Sequence, residues 1–221
     1  MASDIILKDI NSSILNRNVC NLMLTGGVTA KILYNYWREN ASLLNYKNIN
    51  YYFGDERCVP YNSADSNYLM AMENLFPNVV PGGCTINRIE VDNVDKESAA
   101  IKYEGSIPDI IDVLLLGLGT DGHIASIFPY SPVFNSKRRK VMLVSSPYYP
   151  KERITITPKV ISESKSIFLL ATGSEKGRVL GEALNFSDKI EKLPVRLTIS
   201  TNWLIDSQAE KEIKNFSNSR L

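Results

Sequence analysis

The chain has 221 residues, 44% of them hydrophobic and 22% charged, with 25 Lys plus Arg against 24 Asp plus Glu. That length and composition describe one globular domain over residues 1–221, whose core needs no covalent staples. The balanced charge gives no global attraction to nucleic acid or to an anionic membrane surface, so neither is an expected partner and any bound anion must be held locally.

Cys20, Cys58 and Cys84 are odd in number and scattered, which fits reduced thiols in a cytoplasmic compartment. A single histidine and the lack of any C-x-x-C spacing argue against a metal site. The N-terminal stretch lacks the basic-then-apolar order of a secretory signal. No apolar run approaches the roughly 20 residues of a spanning helix.

Apolar strands alternate with amphipathic helices along the chain. Residues 19–24 form a strand ending in Thr25-Gly26-Gly27, after which Ile32, Leu33, Tyr36, Trp37 and Leu44 recur at helical spacing. Residues 49–53 form a second strand, followed by Gly54-Asp55-Glu56-Arg57. A helix near Ser66 carries Leu69, Met72, Leu75 and Phe76 on one face, and Pro77 stops it. Residues 84–91 read as a short strand and 96–104 as a helix.

The run 110–116 is apolar, as a strand covered on both faces requires. Residues 137–140 (Lys-Arg-Arg-Lys) read as a solvated loop. Strands follow at 141–145, 153–157 and 167–171, the last leading through Gly173-Ser174 into a helix that runs to Leu184. From Trp203 the tail reads as helical and then frays. The fold class is therefore α/β, a single domain with a mostly parallel sheet flanked by helices.

Ligands of such sheets bind beyond the carboxyl ends of the strands. Gly26-Gly27, Asp55 to Arg57, Gly117 to His123 and Gly173 to Lys176 all fall there. Gly117, Gly119 and Gly122 spell G-x-G-x-x-G between a strand and an expected helix. A dinucleotide site also needs an acidic residue about 20 positions on, and position 142 is methionine. Asp121 would moreover set a carboxylate beside the diphosphate. The alternative is that the glycines bring backbone close to a ligand while His123 points into the cleft. Asp121 then caps the next helix, and His123 is either a base or a satisfied polar residue at a helix start.

Gly26-Gly27 precedes a helix near Thr29, so free N–H groups and the helix dipole favour an anion there; a plain connecting turn is the other reading. Arg57 suits bidentate phosphate binding but stands two residues from Asp55, with which it could pair. Arg153 opens an alternating strand, either as a phosphate contact or as a solvated edge charge. With Ser174 as N-cap, Lys176 sits in a first helical turn, where a cation is unfavourable by about 0.3–1 kcal/mol unless an anion binds. No G-x-S-x-G elbow or G-x-x-x-x-G-K-[ST] loop occurs, so Ser126 reads as packing.

Taken together, these segments resemble the 6-phosphogluconolactonases of the glucosamine-6-phosphate isomerase/6-phosphogluconolactonase superfamily. The matching stretches are 25–29 (TGGVT), 54–60 (GDERCVP), 66–68 (SNY), 116–129 (LGLGTDGHIASIFP), 153–157 (RITIT) and 172–176 (TGSEK). They occur in family order and span about 20–205. Two departures stand out. The first motif usually reads S-G-G-x-T-P, and here Ala30 replaces the proline; the N-terminus is also short, which suggests a trimmed edge element.

The resemblance implies a Rossmann-like sheet without nucleotide binding and without a cofactor. It implies His123 as general base, Asp121 and Asp55 as its support, and Gly26, Gly27, Thr29, Arg57, Arg153 and Lys176 as the sugar-phosphate clamp. The implied activity is hydrolysis of 6-phospho-D-glucono-1,5-lactone in the pentose phosphate pathway, by a protein that is a monomer or weak homodimer. The sister isomerase/deaminase branch has a ring-opening glutamate after D-G-H-I-A, where this chain has Ser126-Ile127-Phe128-Pro129. A non-catalytic sugar-phosphate sensor is the remaining alternative.

Overall fold

A computed structural model describes residues 2–44, 46–76, 80, 84–185 and 189–218. The chain begins with α1 (Ala2–Arg17), β1 (Cys20–Leu24), α2 (Val28–Glu39), β2 (Ile49–Phe53), β3 (Asp55–Arg57), α3 (Asn67–Asn74), β4 (Thr85–Ile86) and α4 (Lys96–Ser106). It continues with β5 (Val113–Gly117), β6 (Val141–Ser145), β7 (Glu152–Ile156), α5 (Pro158–Glu163), β8 (Ser166–Ala171), α6 (Ser174–Asn185), β9 (Asn202–Ile205) and α7 (Ser207–Asn218).

Six strands form one parallel sheet in the order β4-β2-β1-β5-β8-β9. The two central strands are apolar because helices cover both of their faces: Leu22 to Leu24 and Val113 to Leu116 are fully buried. From β1 the chain builds outward on one side through β2 and on the other through β5. The carboxyl ends of β1 and β5 therefore flank the switch point where such sheets open a crevice. Tyr34 fixes one lip of it, since its hydroxyl accepts from Thr25 N and donates to Thr25 O, both at 3.0 Å.

The remaining strands form a separate antiparallel sheet, β3-β7-β6. It is tied to the main sheet at Gly54, whose N–H donates to Leu24 O and whose carbonyl accepts from Ile156 N, each at 2.9 Å. Its register sets Arg57 directly opposite Arg153.

Several expected elements are corrected. Residues 202–205 form the sixth parallel strand, pairing Trp203 with Leu169, so helix begins only at Ser207. The N-terminal region, for which no element was expected, is helical. It holds the 16-residue α1, whose Ile6, Leu7 and Ile10 are buried. The strand expected over 84–91 contracts to Thr85–Ile86, and the expected stop at Pro77 and the last three residues of the tail, 219–221, lie outside the described residues. β5 starts at Val113 rather than Ile110; the side chain of the preceding Asp112 accepts from Asn21 N (2.9 Å), Lys165 (3.1 Å) and Arg17.

The largest correction concerns the segment after Gly117, which forms no helix. Gly122 (φ 83°) and Ala125 (φ 50°) adopt left-handed backbone, which a right-handed helix excludes. Leu118 instead bridges Ile124, and Ile124 bridges Ile127. Asp121 consequently caps nothing. In the basic run 137–140, Arg139 pairs with Glu104 and Glu97, and Lys140 with Asp109. Among the described residues no helix is long and apolar enough to cross a membrane.

Candidate active site

A cleft of about 370 Å³ opens at the switch point, lined by Gly26, Gly27, Thr29, Asp55, Arg57, His123, Arg153 and Lys176 among others. Every predicted site residue except Asp121 thus faces one space. Asp121 stands behind His123, its Oδ1 2.5 Å from Nδ1 and 3.1 Å from the backbone N–H of the same residue. The glycines explain this arrangement. A Cβ at Gly119 would overlap the His123 ring and lie 2.7 Å from Asp121 Oδ1, so the glycine leaves room for an imidazole and not for a diphosphate.

Partial burial opposes ionisation of Asp121. The hydrogen bonds and charge of His123, with help from Tyr148, outweigh it and hold the carboxyl at about 2. An ionised carboxylate only accepts, so Nδ1 of a neutral His123 carries the proton and Nε2 keeps its lone pair. The Phe128 ring lies 4.7 Å from the imidazole, centroid to centroid, and limits its tilt.

The cations occupy the other part of the cleft. Arg153 is only 7% exposed and donates to Pro150 O at 2.8 Å, so it is not a solvated edge charge. Burial lowers its pKa first, the facing Arg57 lowers it further, and nearby acids partly offset both. Arg57 does not pair with Asp55. It donates to Asp65 O at 2.7 Å and leaves a buried Nε–H without a partner among the described residues. Burial also lowers the pKa of Lys176, against the opposing charges of Glu175 and Asp121. Among the described residues none of these three cations forms an ion pair with a carboxylate. Like charges directly across a strand pair destabilise it, and an anion between them would offset that cost.

Helix α2 adds to that. Its N-cap is Gly27 (φ 101°), which supplies no side chain to satisfy the first N–H groups. Thr29 Oγ1 lies 2.9 Å from Thr172 Oγ1, joining the α2 start to the loop before α6. Ser174 is the first residue of α6 rather than its cap; Gly173 (φ 88°) precedes it, and the Gly173 N–H donates to Asp206. Lys176 remains in the first turn.

Asp55 is 5% exposed and held by two residues that the motifs did not single out as functional. Asn67 Nδ2 donates to Oδ1 at 3.0 Å, and Ser126 Oγ donates to Oδ2 at 2.7 Å, so Ser126 does more than pack. The Asn67 side chain also fills the space that a Cβ at Gly26 would take. Next to it, buried Glu56 accepts from the N–H groups of Arg57, Asn67 and Tyr68 and from the Ser66 hydroxyl. That carboxylate anchors α3 against β3. Its signal was in the sequence, as an acid in G-D-E-R ten residues before a helix-capping serine. Among the described residues no cluster of His, Cys, Asp or Glu is arranged to hold a metal ion.

A sequence model of the "Glucosamine-6-phosphate isomerases/6-phosphogluconolactonase" family matches residues 1–205. The chain is 30% identical over 221 residues to a Mycobacterium tuberculosis protein named 6-phosphogluconolactonase, covering 92% of this chain and 89% of that one. It is 31% identical over 204 residues to one of the same name from Haemophilus influenzae, covering 86% and 85%. Among solved structures, 6-phosphogluconolactonase from Trypanosoma cruzi superposes with a TM-score of 0.80 at 28% identity, covering 97% of this chain and 90% of that one. A monomeric glucosamine-6-phosphate deaminase, 20% identical with a TM-score of 0.77, shares the fold. On the extent of the family match and these identities, the chain belongs to the glucosamine-6-phosphate isomerase/6-phosphogluconolactonase family.

Proposed function

We propose that this protein hydrolyses 6-phospho-D-glucono-1,5-lactone to 6-phospho-D-gluconate, with His123 as general base. The observation that carries the proposal is the division of the cleft: an Asp121-oriented imidazole on one side, and Arg57, Arg153 and Lys176, which have no carboxylate partner among the described residues, with the α2 N-terminus on the other. A phosphorylated sugar lactone offers a dianion at one end and an electrophilic carbonyl at the other. Anchoring the phosphate positions C1 beside the base, converting binding energy into orientation.

Nε2 of His123 then takes a proton from water as the water oxygen bonds to C1. The carbonyl π electrons move to the exocyclic oxygen. Collapse of the tetrahedral species breaks the bond between C1 and the ring oxygen, and the imidazolium returns its proton to that oxygen. Atoms balance as lactone plus water to hydroxy acid. Asp121, ionised throughout, stabilises the transient imidazolium and holds its tautomer.

The same geometry separates this reaction from amino-sugar isomerisation. Deamination of glucosamine 6-phosphate needs an acid for the ring oxygen and a base shuttling a proton between C1 and C2. The segment after His123 offers buried Ile124, Ser126, Ile127 and Phe128 and no carboxylate. A coupled assay of phosphogluconate release, corrected for spontaneous lactone opening, should show turnover, with no ammonia released from glucosamine 6-phosphate. Deamination at a comparable rate would overturn the assignment, and tight phosphogluconate binding without turnover would make the protein a sensor.

The clamp makes a separate prediction. Arg57→Ala and Lys176→Ala should each raise KM for the phosphorylated lactone about ten- to hundredfold with little change in kcat, since a charge-assisted contact is worth roughly 1.5–3 kcal/mol. Binding of unphosphorylated gluconate should barely change. Equal losses for both ligands would show that these cations support structure instead.

A further inference from the structure

Residues 146–151, the turn between β6 and β7, lie in none of the motif segments, yet they touch both halves of the cleft. Ser146 N donates to Lys151 O at 2.6 Å, and Tyr148 N to Ser146 Oγ at 3.0 Å, which closes the turn on itself. At one end Pro150 O accepts from Arg153 Nε. At the other the Tyr148 hydroxyl lies 3.1 Å from Asp121 Oδ2. The Tyr148 ring sits 6.1 Å from the His123 ring and 6.2 Å from Phe128, centroid to centroid.

The geometry points to Tyr148 as a positioning residue for the Asp121–His123 pair. Both other contacts of Asp121 run through Oδ1 to its own turn, to the ring and backbone N–H of His123. Those two contacts hold Oδ1 alone, and among the described residues nothing within that turn holds Oδ2. The Tyr148 hydroxyl supplies the missing contact on Oδ2. Because Asp121 is ionised, the phenol must be the donor, and it stays protonated: burial and the Asp121 charge both raise its pKa. Tyr148 thereby holds Oδ1 on Nδ1, and Nδ1–H on its partner keeps Nε2 aimed into the cleft. Anchorage of the same turn by Arg153 ties this support to the cation opposite Arg57.

The inference extends the lactonase reading, and its test separates the two. His123 is the only histidine in the chain, so its imidazole resonances are unambiguous in the intact protein. Tyr148→Phe keeps the ring, and therefore its ring-current effect, and removes only the hydroxyl. It should lower kcat about three- to tenfold with KM within about twofold, leave thermal stability unchanged, and shift or broaden the His123 Nδ1 proton resonance. In an Asp121→Asn background the same substitution should leave the His123 resonances in place, because the group it acts through is gone. An unmoved Nδ1 proton in the single variant, or an equal shift in both backgrounds, would overturn the role of Tyr148. A wild-type protein that fails to open the lactone would overturn the lactonase reading alone, since the resonance comparison needs no substrate.

Discussion

Replacing His123 by alanine should lower kcat by about 10²-fold or more while phosphogluconate binding stays close to that of the unaltered protein. The size follows from the chemistry. Water is a poor nucleophile at neutral pH, and a positioned base that removes its proton in the transition state contributes roughly 10²–10⁴ in rate. No second histidine exists to take over. Asp121 cannot substitute, because its carboxyl is held at about 2 and it stands behind the ring rather than in the cleft.

The selectivity of the loss follows from the layout of the cleft. Among the described residues the cations and the α2 N-terminus that would hold the phosphate make no hydrogen bond to the imidazole, whose polar contact is with Asp121, so removing it leaves the anchor intact. Turnover should be followed by phosphogluconate release with the spontaneous rate subtracted, and affinity by calorimetry with the product. Near-normal kcat in this variant would remove His123 from the mechanism. A parallel collapse of product affinity would mean that the imidazole binds rather than activates.

How legible this was differs by element, for physical reasons. Strand β5 announces itself because burial on both faces writes an apolar run into the residues. Helix α2 is where it was expected, but its buried stripe is Ala30, Tyr34 and Trp37; Ile32 and Tyr36 of the expected face are exposed, and Leu44 lies beyond the helix end at Glu39. Strand β9 does not announce itself. It is four residues long at the sheet edge with every residue partly or fully exposed, so no periodicity marks it. Helix α1 hides for a related reason, since Ile5 and Leu15 stay exposed beside buried Ile6 and Ile10 and blur its stripe. The missing helix after Gly117 turned on the φ of Ala125, which nothing about alanine foretells.

Within the candidate site, residues close together in sequence were readable as motifs. What remained hidden were contacts made over long separations. Arg57 meets Arg153 across the β3–β7 pair, and the Tyr148 contact with Asp121 spans 27 residues. Ser126 reaches Asp55 across 71. Such pairs exist only once the two sheets are joined at Gly54.

The glycine spelling yields the most stringent test of how the loop is built. Gly119→Ala should cost about 10²-fold or more in kcat, nearly as much as losing the histidine itself, although the added group is one methyl. A Cβ at 119 would overlap Nδ1 and Cε1 of His123 and crowd Asp121 Oδ1 at 2.7 Å. Backbone cannot yield easily there, because Gly119 N donates to His123 O at 2.8 Å and Gly122 N to Gly119 O at 3.1 Å. The cheaper response is rotation of the imidazole out of its place, which breaks the Asp121 contact and turns Nε2 from the cleft. Fold stability should fall far less, because His123 is at the surface of the cleft and the core strands behind it are untouched. Substrate affinity should hardly change, since Arg57, Arg153 and Lys176 lie on other elements. Gly122→Ala is the informative contrast: its Cβ would collide with Leu193 and its φ is 83°, so that variant should lose stability along with activity. A Gly119→Ala protein with wild-type kcat and an unshifted His123 imidazole signal would show that the loop makes room for the ring by some other movement, and that the glycine is there for a ligand after all.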